Sequence, residues 1–259
     1  MAESCFLSLQ GNVLRLRRIL HEVEPCDTPE RGVITGFSLQ SRLRLLRYLN
    51  TVDFAGNDPV LFVTLTYPDE IDISKMKTRT THRIAFHRTM ERRLHREFPM
   101  LWRQEWIRRK SGACTGFNRP HFHLLLFHVQ FIPYKEINAS WRLALGDYEG
   151  PLNTDVRSVF GHEGAIKYIA KYVAKNPSLD IVTYLEHHWE IGRFWGICRP
   201  SLIKRFPEVV VEIRSPLPGD PLFRAVASVR NCDPEDLLKG FTLFGEHAKE
   251  IFDAYAERG

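Results

Sequence analysis

The segment Arg119-Pro120-His121-Phe122-His123-Leu124-Leu125-Leu126-Phe127 constrains this chain more than any other. Its aromatic and aliphatic run reads as a buried strand. Successive side chains of a strand point to opposite faces. His121 and His123 therefore share one face, while Phe122, Leu124 and Leu126 point into the other layer. Two imidazoles so placed can share one cation; the plain alternative is a hydrogen-bonded surface pair. A second strand is expected over 101–109, ahead of one at 119–128, with the Gly-containing turn Ser111 to Asn118 between them. If that hairpin is centred near Cys114, Glu105 lies opposite His123 on the same face. A carboxylate beside two histidines makes a facial metal site with open positions. A one-residue slip would turn Glu105 to the other face, as an exposed partner for Arg103 or Arg108.

Two further segments carry chemistry. From Ala165 to Lys175 the sequence is AIKYIAKYVAK. At about 100° per residue, Tyr168, Lys171, Tyr172 and Lys175 form one helix face and Ile166, Ile169, Ala170 and Val173 the opposite one. A phenol with a pKa of about 10 is a poor nucleophile at neutral pH. A neighbouring ammonium favours the phenolate, and such a tyrosine can attack covalently. The alternative is a basic amphipathic helix with surface tyrosines. The third segment is Phe62-Val63-Thr64-Leu65-Thr66-Tyr67-Pro68. Thr64 and Thr66 share a strand face, either lining a DNA groove, supporting the histidines, or filling a strand as β-branched residues do.

Helical and strand signals are intermixed along the rest of the chain. Residues 1–50 read as a basic, partly helical segment, with Ser38 capping a helix that runs through Tyr48. A strand is predicted over Leu61–Tyr67, a helix over Thr81–Phe98, and a helix over Tyr134–Leu145. A short strand near Val156 and a helix from Gly164 to Lys175 follow. Strands at Arg193–Cys198 and Val209–Ile213 are expected to close the core. Pro216–Pro221 reads as a linker, and 233–256 as a helix with Asp233 at its cap and Pro234 at its first position. The fold class is α+β: a central antiparallel β-sheet with helices packed mainly on one face. The expected organisation is a catalytic domain over 51–215, with 216–259 as linker and C-terminal helix.

Composition narrows the function classes. The 259 residues carry a formal net charge of +5, which favours anionic partners. The five cysteines are scattered and never paired as C-x-x-C, which argues against a disulfide framework and a structural zinc knot. The longest apolar run is too short to span a bilayer, so the expectation is a soluble, cytoplasmic protein with no membrane partner. No G-x-x-x-x-G-K-[ST] occurs, so any helicase must come from elsewhere.

In combination and order, FVTLTYP at 62–68, RPHFHLLLF at 119–127 and YIAKYVAK at 168–175 resemble the three motifs of the HUH endonucleases. Relaxases of that superfamily place the tyrosine before the histidines. Here it follows them, and the Y-x-x-x-Y pair resembles rolling-circle replication initiators of small single-stranded DNA phages and plasmids. The resemblance covers residues 38–200 and implies an antiparallel sheet centred on the histidines. It also implies Mg²⁺ or Mn²⁺ held by His121, His123 and Glu105, with Mn²⁺ the better match to imidazole. Tyr168 and Tyr172 would be nucleophiles, assisted by Lys171 and Lys175. Single-stranded DNA at an origin, exposed by a hairpin or by supercoiling, would be the substrate. Thr64, Thr66, Arg88, Arg92 and Arg119 would contact it, and a host or replicon-encoded helicase and a DNA polymerase would be partners. Rival readings are a relaxase-like or transposase-like strand transferase, a zinc-stabilised protein, and a catalytically silent single-strand binding module that stacks bases on Phe62, Tyr67 or Trp102.

Overall fold

The structure is a computed structural model that describes residues 4–19, 34, 36–110, 112–116, 118–159, 190–213, 217, 219–238, 240–245 and 247–256. Two compact units are present. One comprises residues 32–45 and 54–204, the other 1–31, 46–53 and 205–259.

The larger unit is built on a five-stranded sheet. Its strands are β3 (Val60–Thr66), β4 (Met100–Arg108), β5 (Asn118–Phe127), β6 (Thr154–Val159) and β7 (Trp195–Cys198), in the order β6-β3-β5-β4-β7. All four pairings are antiparallel. The histidine strand β5 is therefore central, with β3 and β4 as its neighbours. One face is apolar throughout: Leu61, Val63 and Leu65, Met100 and Trp102, and Phe122, Leu124 and Leu126 join one buried cluster. Helices α2 (Met76–Leu94) and α3 (Tyr134–Ala144) cover that face with Phe86, Met90, Ile137 and Trp141. The Trp141 indole N–H donates to the Thr66 carbonyl at 3.1 Å, which ties α3 to the end of β3. The α+β class, with helices on one face of an antiparallel sheet, is thus observed.

Several local signals act as the sequence suggested. The Ser38 hydroxyl accepts the Ser41 N–H at 3.2 Å and opens α1 (Leu39–Thr51). Helix α2 begins five residues before the predicted Thr81 and stops at Leu94, where His95 takes a left-handed conformation (φ 51°) and donates its N–H to the helix. Phe98 lies past the helix yet still enters the same core, so its four-residue spacing from Leu94 misled the boundary. The early start rests on Arg79, a buried guanidinium that donates to the carbonyls of Ile73, Ser74, Glu190 and Ile191 and lies over the Trp106 ring. An arginine read as a solvated residue is in fact a strut.

The smaller unit has a four-stranded sheet in the order β8-β1-β2-β9. Strands β1 (Ser4–Gln10) and β2 (Val13–Ile19) form a hairpin where a basic, partly helical segment was expected. The two-residue Gly11-Asn12 connection is the signal that was missed: Gly11 has φ 56°, and a Cβ there would lie 2.5 Å from the Asn50 carbonyl oxygen. Strand β8 (Glu208–Ile213) does not close the histidine sheet; it pairs with β1, through Cys5 opposite Ile213 and Leu7 opposite Val211. Part of the expected linker opens a helix instead, α4 (Pro221–Arg230), capped by the Asp220 carboxylate. The predicted helix over 233–256 is interrupted. Asp233 and Pro234 do open a helical turn, but it ends at Leu237. Gly240 (φ 107°) and Gly245 (φ 101°) then bracket strand β9 (Phe241–Phe244) before α5 (His247–Ala256). Positive φ at both glycines is incompatible with one continuous helix. The predicted helix over Gly164–Lys175 lies outside the described residues.

Cys5, Cys114, Cys198 and Cys232 are free thiols. No helix among the described residues is long and apolar enough to cross a membrane.

Leu124 lies fully buried on the central strand beneath α2 and α3. Leu124→Ala is expected to lower unfolding free energy by roughly 2–5 kcal/mol, read from the urea midpoint. A loss under about 1 kcal/mol would contradict the packing described.

Candidate metal and nucleic-acid site

The face of the sheet opposite α2 and α3 is polar at its centre. Strand registry builds it as two cross-strand rows. Thr66, His121 and Glu105 form the first, Thr64, His123 and Arg103 the second. Each row takes its threonine from β3, its histidine from β5 and its charged residue from β4.

The contacts follow from that registry. Thr66 Oγ1 lies 2.9 Å from His121 Nδ1, and Thr64 Oγ1 lies 3.2 Å from His123 Nδ1. Glu105 stands opposite His121 and reaches diagonally, its Oε2 2.7 Å from His123 Nε2. The Phe62 ring stacks on His123 at 5.7 Å between centroids. Arg103 Nη1 lies 3.8 Å from Glu105 Oε2, and its guanidinium sits over the Phe37 ring. His123, Glu105 and Arg103 are all buried. The expected register placed Glu105 opposite His123. The actual one differs by two residues, an even shift that keeps the carboxylate on the histidine face.

Hydrogen-bonding capacity decides the tautomers. An ionised carboxylate only accepts, so His123 carries a proton on Nε2 and its Nδ1 accepts from the Thr64 hydroxyl. A threonine hydroxyl can donate or accept, so the same contact survives if that proton is displaced. His121 differs. Its Nε2 is buried and has no hydrogen-bond partner among the described residues. Burial holds its imidazolium pKa down to about 4, with repulsion from His123 and Arg109 adding to the effect and Glu105 opposing it. His121 is therefore neutral at neutral pH.

Two imidazoles and a carboxylate, with one imidazole nitrogen orphaned, are a donor set that suits a divalent transition metal. Among the described residues no three His, Cys, Asp or Glu side chains form a group ready to hold a metal ion. Glu105 and His123 are bonded to each other, and a cation would replace that hydrogen bond.

The remaining candidates fall elsewhere. Arg119 is buried and donates to the carbonyls of Pro68 at 2.6 Å and Ile71 at 3.0 Å, so its guanidinium fastens the loop after β3. Arg83, counted among the basic residues of the helix surface, is buried over the Trp102 ring at 4.2 Å and donates to Cys198 Sγ. Arg88 and Arg92 are exposed on α2, on the far side of the sheet from the histidines. Tyr168, Lys171, Tyr172 and Lys175 lie outside the described residues. Of the proposed base-stacking aromatics, Phe62, Tyr67 and Trp102 are all buried. Reading along single strands missed Arg103, Phe62 as a stacking partner of His123, and Arg109, which donates to the Tyr67 carbonyl and pairs with Asp69 at 3.1 Å. Only cross-strand registry brings these to the site.

Residues 60–177 match a family of replication-associated proteins, the ORF2 type. The stretch is a little under half of the chain. It begins at the first residue of β3, takes in β4 and both histidines, and extends through the tyrosine segment. This similarity supports a replication-initiator reading, with DNA as the partner. No curated protein and no solved structure matches the chain.

The depressed pKa of His121 has a consequence for stability. The ordinary histidine pKa of 6.5 is the unfolded reference, and the folded value is about 4. Between these limits the unfolded chain binds more protons, so acid favours unfolding. Stability is expected to fall as pH drops from about 6.5 to about 4, and His121→Gln is expected to flatten that part of the profile. Urea midpoints across the window check this; an unchanged slope in the variant would refute it.

Proposed function

We propose that the chain is a replication initiator that nicks single-stranded DNA by tyrosine transesterification, as a metal-dependent endonuclease and strand transferase. The observation that supports this most is the histidine pair on the central strand, each Nδ1 held by a threonine of β3. That arrangement aims both Nε2 atoms away from β3, toward the side where Glu105 reaches His123. Second contacts of this kind orient ligating histidines and select their tautomer.

His121, His123 and Glu105 would hold Mg²⁺ or Mn²⁺. When bound, such a cation supplies Lewis-acid charge to a non-bridging oxygen of the scissile phosphate. Tyr168 or Tyr172 attacks phosphorus in line. A bond forms between the phenolic oxygen and phosphorus, and the bond to the 3′ oxygen breaks. The phenolic proton is lost and the departing 3′ oxygen takes up a proton. The products are a 5′-phosphotyrosine and a 3′ hydroxyl that a polymerase extends. Lys171 and Lys175 favour the phenolate and balance phosphate charge. The adduct keeps the phosphodiester energy, so the second tyrosine can cut a regenerated site and the freed 3′ hydroxyl can close a circle. Unwinding falls to a separate helicase.

Covalent capture tests the proposal. Protein mixed with labelled random single-stranded DNA and Mn²⁺ is expected to give a denaturant-resistant adduct. EDTA should abolish it, and so should the double variant Tyr168→Phe/Tyr172→Phe. Tight single-strand binding without an adduct would instead establish a silent binding module.

A further inference from the structure

The exposed charged residues of α2 are Lys77, Arg88, Arg92 and Arg93, and Arg96 follows just beyond the helix. All are basic. The helix has a single acid, Glu91, and Arg199 binds it through Nε at 3.1 Å while pairing with Glu97 at 2.9 Å. The acids nearest the stripe are thus already neutralised. Arg92 donates to Thr89, and Arg96 to the His128 carbonyl. Among the described residues Arg88 and Arg93 have no acidic partner. Arg88, Arg92 and Arg96 are spaced four apart, so like charges face each other on consecutive turns, an arrangement that weakens a helix. The helix C-terminus favours cations at 92 and 93, but not at 88 or 77. A solvated helix usually mixes signs; this one accumulates a single sign that an external polyanion would offset.

We infer that the outer face of α2 is a second DNA-binding surface, on the opposite side of the sheet from the histidines, and that its ligand is the phosphate backbone of duplex DNA. The DNA assignment rests on the function proposed above. The duplex assignment rests on composition. Single-strand sites combine cations with aromatic platforms on which bases stack, and the exposed residues of α2 include no aromatic. A duplex backbone asks only for cations along a line. Nineteen residues of helix extend about 28 Å, long enough to follow many phosphates of a rigid rod. The duplex beside a nick site would then be held by one face while the unpaired strand enters the other.

Fluorescence anisotropy on the full chain tests this with a 30-base-pair duplex and a 30-nucleotide single strand of arbitrary sequence, in EDTA so that no cutting is needed. The variant is R88Q/R92Q/R93Q. A comparison variant, K135Q/R230Q/K249Q, makes the same charge change at exposed positions elsewhere. The slope of log K against log salt for the duplex is expected to drop by about 2–3 in the α2 variant, with duplex affinity falling at least about tenfold at 0.1 M salt. The comparison variant keeps the wild-type slope, and single-strand binding weakens less than duplex binding. An unchanged duplex slope overturns the inference. So does an equal loss in the comparison variant, which would assign binding to net charge, or an equal loss for the single strand. Because nothing is cut in EDTA, a failure here is distinct from a failure to nick.

Discussion

The two-residue pleat of one central strand is the constraint on which the rest of the larger unit depends. It sends Phe122, Leu124 and Leu126 into the apolar layer under α2 and α3, and His121 and His123 to the other face. The two sets are inseparable, because a slip by one residue would exchange them. Burial of the apolar set therefore secures the position of the polar one. Threonines on β3 and a carboxylate on β4 arrive at the histidines because antiparallel registry leaves them no other place.

The buried polar cluster has a cost that the hydrogen bonds offset. An unpaired polar group in such surroundings costs about 1–3 kcal/mol, so evolution toward stability alone would replace these residues by apolar ones. Instead Thr64, His123 and Glu105 form one bonded chain, and His121 keeps one nitrogen bonded and one orphaned. That single orphan is the strongest mark of a ligand site on the sheet.

Strand parity was legible in the sequence; pairing was not. The H-x-H spacing alone placed both histidines on one face, and the hairpin with Glu105 was readable to within two residues because its turn is short. Thr64 and Thr66 stood on one face from spacing, but nothing local said that this face meets the histidines; that requires β3 beside β5 across more than fifty residues. The same limit explains β8. Its apolar run announces a strand, yet its partner β1 lies at the other end of the chain. Arginines misled for a different reason. Arg79, Arg83, Arg103 and Arg119 look like solvated charge in sequence, and each is buried over an aromatic ring or among backbone carbonyls. A guanidinium carries enough donors to satisfy a buried loop, which no periodicity reveals.

The account stands or falls on whether the two histidines share a cation. Pulsed electron paramagnetic resonance of the full chain loaded with Mn²⁺ measures this directly, through coupling of the metal electron spin to imidazole nitrogen. Coupling to two imidazoles is predicted for the wild type, reduced to one in His121→Gln and in His123→Gln. Bound Mn²⁺ with no nitrogen coupling, or coupling that survives both substitutions together, would contradict it.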